Sequence, residues 1–139
     1  MDARLKKSGL QFIKFSFVGA SGVVVNLLVF NLTILLWRLA SGSAPTVAEY
    51  LGNLLGFVVS VLTNYYLNRR WTFRSSGAVS RELPKFFTVS VVAYVVNLGV
   101  FTLARHGIHL SDNLSQLVAI ACVMPINFVL NKLWSFRGA

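Results

Sequence analysis

The stretch FSFVGASGVVVNLLVFNLTILLW, residues Phe15–Trp37, carries no charged side chain over 23 consecutive positions. A helix needs about 20 apolar residues to cross the roughly 30 Å hydrocarbon core of a bilayer. The stretch is too long for the core of a signal peptide, and it lacks a small-residue cleavage site. The sequence therefore predicts that these residues form a retained membrane-spanning helix.

Three more uncharged runs follow, each of 19 residues: Tyr50–Asn68, Phe86–Ala104 and Asn113–Asn131. The four runs fill more than half of the 139 residues, and only 12 % of the chain is charged, against about 25 % in ordinary soluble domains. This pattern predicts an all-α membrane protein with four transmembrane helices. It excludes a soluble enzyme and leaves no room for a second, water-soluble catalytic domain.

The basic residues are distributed very unequally between the two sides of the predicted membrane. Because Lys and Arg accumulate in short cytoplasmic loops, the bias places both termini in the cytoplasm, in a multi-pass protein of the cell's inner (cytoplasmic) membrane. The same placement argues against nucleic acid as the reason for the net charge of +9. The predicted inner side has Arg4, Lys6, Lys7, Lys14, Arg69, Arg70, Arg74, Arg81, Lys85, Lys132 and Arg137, and the outer side has Arg38 and Arg105.

The chain is predicted to be an internal duplication within a single domain, residues 1–139. An offset of 71 aligns Lys14-Phe15 with Lys85-Phe86. An offset of 63 aligns residues 64–74, NYYLNRRWTFR, with residues 127–137, NFVLNKLWSFR. Because each repeat has two spans, the repeats, about 12–74 and 84–137, are expected to be parallel and related by an axis along the membrane normal.

Small residues predict where the helices of each repeat touch. Gly52-x3-Gly56 on the second span corresponds to Ser115-x3-Ala119 on the fourth, and such pairs allow close helix packing. Pro125 should free the carbonyl of Ala121 and kink the fourth span. Whether that kink lines a cavity or is absorbed by packing is open at this stage.

The repeated asparagines and cations form the main candidate site. Residues four apart share one helix face, and the face lies at the predicted cytoplasmic rim. Guanidinium groups match phosphate oxygens, and amides supply donors to phosphate or sugar hydroxyls, so we predict a lipid-phosphate and sugar site. The alternative is that the cations are topology anchors that snorkel to anionic lipid. The candidate residues are Asn64, Asn68, Arg69, Arg70, Asn127, Asn131 and Lys132.

Four further polar residues, two within the spans and two at their outer ends, each have two interpretations. Asn26 and Asn97 lie near the predicted midplane, where they either hydrogen-bond between helices or line a translocation path. Glu49 lies at the outer start of the second span, and Asp112 lies at the outer start of the fourth. They either interact favourably with the helix N-terminus or form an outer gate with Arg38 or Arg105.

Several chemistries are not expected. The sequence has no P-loop lysine motif, no paired carboxylates and no Ser/His/Asp set at a suitable depth. His106-x2-His109 lacks a nearby carboxylate or thiol, and the single cysteine, Cys122, lies mid-span, so no metal site and no cofactor are predicted. We expect the chain not to be an enzyme.

The whole chain, from about Phe12 to Arg137, resembles the GtrA-like family. The resemblance is carried by Phe15-x2-Val18-Gly19, by the four spans, and by the closing Asn68-Arg69-Arg70-Trp71-Thr72-Phe73. That family includes proteins assigned to flip undecaprenyl-phosphate glucose, and its fold forms the membrane domain of some dolichyl-phosphate mannose synthases. The resemblance implies movement of a polyprenyl-phosphate-linked sugar to the outer leaflet, for cell-envelope polysaccharide or O-antigen glycosylation. Leu133 stands where the first repeat has Arg70, which argues against a two-fold symmetric phosphate clamp.

Three functions are compatible with these patterns. The first is a translocator that captures the sugar phosphate on the cytoplasmic side and passes it by Asn26 and Asn97. The second is a non-transporting scaffold for a partner glycosyltransferase, with residues 69–81 as its docking loop. The third, a small multidrug-type exporter, is disfavoured because the four spans contain no acid. Four helices make a thin wall around a long lipid head, which favours a homo-oligomer or a partner.

Overall fold

The computed structural model describes residues 3–43 and 45–138, and all the regular structure in those ranges is helical. Four helices are long and apolar enough to cross a membrane, which confirms the predicted fold class. They are α1 (Ala3–Ser41), α2 (Thr46–Leu67), α3 (Val79–Thr102) and α4 (Asp112–Leu130). The last three continue into five-residue π-helical turns, Asn68–Thr72, Leu103–Gly107 and Asn131–Ser135.

Helix α1 is longer than a bilayer is thick. Its 39 residues extend roughly 58 Å at about 1.5 Å per residue. From Ala3 onward the basic N-terminal stretch is continuous with the first span, and it forms neither a separate interfacial helix nor a frayed end. The physical reason is that residues 3–14 are mostly good helix formers, and no proline interrupts them.

The π-helical turns recur at matching positions of the two predicted repeats. The turn Asn68–Thr72 aligns with Asn131–Ser135 at the offset of 63. In the second of these, the Phe136 N–H donates to the Asn131 carbonyl over 2.8 Å, the five-residue spacing that defines a π-helix. After the first, Arg74 adopts a φ of 52°, a left-handed conformation that ends the helix.

The contacts divide the chain into two compact units. We call residues 13–72 the first unit, and we call residues 73–138 with residues 3–12 the second unit. The first unit contains most of α1 and all of α2. The second contains α3, α4 and the start of α1.

Close helix packing in the first unit depends on glycines of α1 and α2. A Cβ at Gly56 would lie 2.8 Å from the Asn26 carbonyl oxygen, and one at Gly52 would lie 2.9 Å from the Phe30 ring. The Ser60 hydroxyl donates to the carbonyl of Gly22 over 2.9 Å. These contacts confirm that Gly52 and Gly56 lie at a helix–helix interface.

The second unit has a core of small residues and phenylalanines. Ser115 and Ala119 are completely buried, which confirms that the small pair on α4 is a packing surface. At one end, rings stack or meet edge-on, with centroids 4.7 Å apart for Phe73 and Phe136 and 5.3 Å apart for Phe12 and Phe128. Pro125 lies inside α4, where it is exposed and lines a shallow apolar groove of about 280 Å³ with neighbours on the same helix.

Candidate functional site

One end of each unit carries a lysine over a tryptophan. The Lys14 ammonium lies 5.2 Å from the centre of the Trp71 ring in the first unit, and Lys85 lies 5.9 Å from Trp134 in the second. We call these the basic ends. Both tryptophans are close to half exposed, as expected for rings at a membrane–water boundary, and cation–π contacts hold the lysines beside them.

A line of polar side chains leads from the basic end into α2. Asn64, Asn68 and Thr72 are spaced by four, so they follow one side of the helix for roughly 12 Å at about 1.5 Å per residue. Asn68 and Thr72 are buried, with 2 % and 4 % of their surface exposed. The side-chain oxygen of each of the three is buried and has no hydrogen-bond partner among the described residues. We call this set the first polar ladder.

The Asn64 side chain fits against α1 because the residue opposite it, Gly22, has no side chain. A Cβ at Gly22 would lie 2.4 Å from the Asn64 amide nitrogen and 2.6 Å from its oxygen. An alanine there would displace the amide. The fit of Asn64 thus depends on a residue 42 positions away in sequence.

The second unit has a matching line on α4, Asn127, Asn131 and Ser135, which we call the second polar ladder. Asn131 is fully buried, and Ser135 is 3 % exposed. The Asn131 amide donates to the Asn127 carbonyl and side-chain oxygens over 3.0 and 2.8 Å. The side-chain oxygens of Asn131 and Ser135 lack a partner among the described residues.

Unpartnered buried oxygens are costly. Each buried polar group without a partner costs about 1–3 kcal/mol, and native proteins contain few of them. Amide oxygens accept hydrogen bonds and cannot donate them. The unpartnered asparagine oxygens are therefore acceptors suited to a group that is rich in donors, such as a sugar with several hydroxyls, and the hydroxyls of Thr72 and Ser135 can both accept and donate.

The predicted cations flank these ladders in the chain. Arg69 is partly buried and Arg70 is exposed, directly after Asn68. Lys132 follows Asn131, and its ammonium donates to the Ser8 hydroxyl over 2.7 Å. Each unit thus combines at its basic end the residue types that the sequence assigned to a phosphate and sugar site.

The other predicted residues lie apart from the ladders' oxygens. Asn26 is partly buried and packs against Gly56, with its side-chain carbon 3.3 Å from where a Cβ would stand. Asn97 is partly buried on α3. The structure therefore places Asn26 at a helix contact, while its part in a path stays a prediction.

The acids at the opposite ends differ from each other. Asp112 pairs with Arg105 through an exposed ion pair, one of the two partners predicted for it. Asp112 also lies in the first turn of α4, next to the N-cap residue Ser111, whose hydroxyl accepts from the Leu114 N–H. Glu49 is exposed in the first turn of α2.

Four buried polar residues were missed by the sequence reasoning: Thr72 and Ser135, and Gln11 and Glu82. Gln11 and Glu82 are 5 % and 6 % exposed, and Glu82 accepts a hydrogen bond from the Ser75 hydroxyl. The signal was present, because the offset of 63 aligns Thr72 with Ser135 and the offset of 71 aligns Gln11 with Glu82. Within residues 3–43 and 45–138, no three His, Cys, Asp or Glu side chains are close enough to hold a metal ion.

Comparison with known proteins gives two relatives. A Pyrococcus furiosus protein named dolichol-phosphate mannosyltransferase is 28 % identical over 125 residues, which are 88 % of this chain and 32 % of that protein. A Listeria innocua protein named cell wall teichoic acid glycosylation protein GtcA is 25 % identical over 91 residues, 63 % of each chain. The chain thus spans less than two thirds of either relative. The family described as GtrA/DPMS, transmembrane domain, matches residues 14–136, so this chain is a multi-pass membrane protein that belongs to the GtrA/DPMS transmembrane domain family.

Proposed function

We propose that the protein moves a polyprenyl-phosphate-linked sugar across the cytoplasmic membrane to supply glycosylation of a cell-envelope polymer. Two kinds of evidence support this. The relatives are named for a dolichol-phosphate mannosyl transfer and for teichoic acid glycosylation. The site also has cations that can bind a phosphate, and the polar ladders have oxygens that can accept hydrogen bonds from a sugar. The protein would bind and guide the lipid without forming or breaking a covalent bond.

The observation that carries the proposal is the pair of polar ladders. Asn68, Thr72, Asn131 and Ser135 are all more than nine-tenths buried, and each has a side-chain oxygen without a partner among the described residues. Helix packing alone would favour apolar residues at such positions, because they carry no desolvation penalty. Buried polar residues in membrane-spanning helices are therefore candidates for a functional site.

The chemistry divides between the ladders and the cations. Arg69, Arg70 and Lys132 hold the lipid phosphate, which is anionic and accepts hydrogen bonds. The sugar hydroxyls donate to the unpartnered oxygens of the ladders. When the headgroup enters, these oxygens gain hydrogen bonds, and the free-energy cost of burying them unpaired is removed. This gain lowers the free-energy barrier to moving the sugar past the ladders.

Orientation follows from charge. With both basic ends in the cytoplasm, the headgroup is captured on the side where its sugar is attached. The apolar tail stays in the bilayer. Arg69 and Arg70 in the first unit and Lys132 in the second are the phosphate-binding residues, and Asn26 and Asn97 lie further along the proposed path.

A leaflet-accessibility assay in proteoliposomes tests the proposal. The assay follows a short-chain polyprenyl-phosphate hexose in vesicles with wild type, with the Asn68→Leu/Asn131→Leu double variant, and without protein. The matched control is Asn31→Leu, because Asn31 is exposed and its amide donates to the Leu27 carbonyl of its own helix. We expect transfer with wild type and control, and at least a roughly tenfold loss in the double variant, as removal of a hydrogen bond to a bound group predicts. Equal transfer in all three proteins would contradict the proposal.

A scaffold for a partner glycosyltransferase is the second candidate. It is favoured by the Pyrococcus relative, of which this chain covers only 32 %, so that most of that enzyme lies outside the matched membrane part. The connection after α2 is ordered: the Gly77 N–H donates to the Ser75 hydroxyl over 3.1 Å, and that hydroxyl donates to the buried Glu82. Lipid binding without any transfer in the assay would favour this function.

A further inference from the structure

We propose that Lys132, together with Lys7, Ser8 and Gln11 at the start of α1, forms a binding site for the phosphate and adjoining sugar of the headgroup. The inference deepens the proposed function and rests on it for the identity of the lipid. It assigns residues 7–11 of α1 to binding, a role beyond the topology signal that the sequence analysis took from the N-terminal cations.

The start of α1 lies in a fixed register against the end of α4 in the second unit. Lys132 contacts Ser8, and one turn further along both helices Phe128 contacts Phe12, with ring centroids 5.3 Å apart. Because residue numbers rise along one helix as they fall along the other, the two segments run antiparallel. The register holds the Lys132 ammonium beside α1, over the face of Phe128 at 5.6 Å.

The site has an excess of positive charge. Lys7 directly precedes Ser8 in α1, and Ser8 is the residue that the Lys132 ammonium contacts. Neither lysine forms an ion pair with a carboxylate in residues 3–43 and 45–138. Two neighbouring cations without an acid repel each other, and a bound phosphate would relieve that repulsion.

The same place offers acceptors for a hydroxyl-bearing ligand. The Gln11 and Asn131 side-chain oxygens are buried and without a partner among the described residues. Phosphate has no donor for them at neutral pH, whereas a sugar attached to it has several. The combination favours a glycosyl phosphate over a simple anionic phospholipid.

The equivalent position of the other repeat supports this assignment. The offset of 71 places Glu82 where Gln11 stands, and both are buried. A carboxylate at Gln11 would neutralise Lys132 and repel an anion. The neutral amide leaves the charge of Lys132 available.

The test is lipid binding to the purified full chain in detergent, measured by tryptophan fluorescence. The probes are farnesyl-phosphate glucose, farnesyl phosphate and inorganic phosphate. Lys132→Met removes the charge and keeps the length, Ser8→Ala removes the hydroxyl, and Lys85→Met, at the cation–π pair with Trp134, is the matched control. Helical content and monodispersity identify any variant that fails to fold.

We expect Lys132→Met to weaken farnesyl-phosphate glucose binding about tenfold or more and Ser8→Ala to weaken it less, in line with the strength of charge-assisted hydrogen bonds. Lys85→Met should bind like wild type. Farnesyl phosphate should bind more weakly than its glucoside. Displacement by inorganic phosphate would identify a site for the free anion, and its failure would identify a lipid headgroup site. Equal losses in Lys132→Met and Lys85→Met, or no loss in folded Lys132→Met and Ser8→Ala, would overturn the proposal.

Binding and transfer can fail separately. Binding that depends on Lys132 without any transfer in proteoliposomes would support this site and refute translocation. Wild-type binding in Lys132→Met, with transfer intact, would refute this site and leave translocation standing.

Discussion

The two basic ends share their outer features and differ in how their polar interiors are satisfied. Each has a lysine over a tryptophan and a π-helical turn that begins at a buried asparagine. In the first unit, Asn64 lies against Gly22 with its oxygen unpartnered. In the second, the Asn127 oxygen accepts from Asn131. The two basic ends therefore share a lysine–tryptophan pair and differ in which side-chain oxygens lack a partner among the described residues.

The largest effect on stability should come from the helix contact of the first unit. A Cβ at Gly56 meets the Asn26 carbonyl oxygen at 2.8 Å, and this backbone atom moves only if α1 moves. We expect Gly56→Ala to lower the free energy of unfolding by about 1–3 kcal/mol, the range for overpacking, measured by thermal unfolding in detergent.

The matched control is Gly99→Ala on α3, since nothing lies within 4 Å of its Cβ position. Alanine favours a helix over glycine by up to about 1 kcal/mol, so this variant should be as stable as wild type or more stable. A destabilised Gly99→Ala with an unaffected Gly56→Ala would reverse our assignment of the packing surface.

Substitutions in the polar ladders should change stability and lipid transfer in opposite directions. Asn68→Leu removes an unpartnered buried oxygen, so the free energy of unfolding should rise by about 1 kcal/mol, while transfer falls. Asn131→Leu also removes two hydrogen bonds to Asn127, so its gain should be smaller. Chemical unfolding beside the transfer assay measures both quantities. A loss of stability above about 2 kcal/mol in Asn68→Leu would show that this asparagine has a structural role instead.

The lysine–tryptophan pairs should respond alike in the two units. Lys14→Met and Lys85→Met each remove a partly exposed cation–π contact worth about 0.5–1 kcal/mol. Unfolding measurements should therefore give two small losses of equal size. Distinct losses would mean that one of the two lysines has a further role.

The smallest effect is expected at the opposite end. The ion pair between Arg105 and Asp112 is exposed, and such pairs contribute at most about 1 kcal/mol. Asp112→Asn should lower the free energy of unfolding within that limit, and added salt should reduce the difference. Glu49→Gln is the companion variant, because no ion pair of Glu49 occurs in the described ranges. A salt-independent loss larger than this would indicate a buried, gate-like role for Asp112.

The sequence predicted the helices well and the interior of the site only in part. Hydrophobic runs locate spans because their length is set by the bilayer, and spacing by four placed Asn64 with Asn68 and Asn127 with Asn131. Thr72 and Ser135 continue the same spacing by four, but they lie past the ends of the uncharged runs assigned to the spans, so their burial was not predicted. The contact of Lys132 with Ser8 joins residues 124 positions apart, and no local pattern encodes it.

A headgroup can reach the buried ladder residues only if the ladders open, and thiol accessibility tests this opening most directly. Cys122 is the single cysteine of the chain, so Cys122→Ser provides a background in which Asn68→Cys, Asn131→Cys and the exposed control Asn31→Cys are each added. A membrane-impermeant thiol reagent is applied to proteoliposomes from the basic side, with and without farnesyl-phosphate glucose. We expect the Asn68→Cys and Asn131→Cys variants to be labelled slowly, and we expect the lipid to suppress this labelling. The lipid should not change the labelling of the control. Complete protection of both ladder positions in folded protein, whether the lipid is present or absent, would contradict the account.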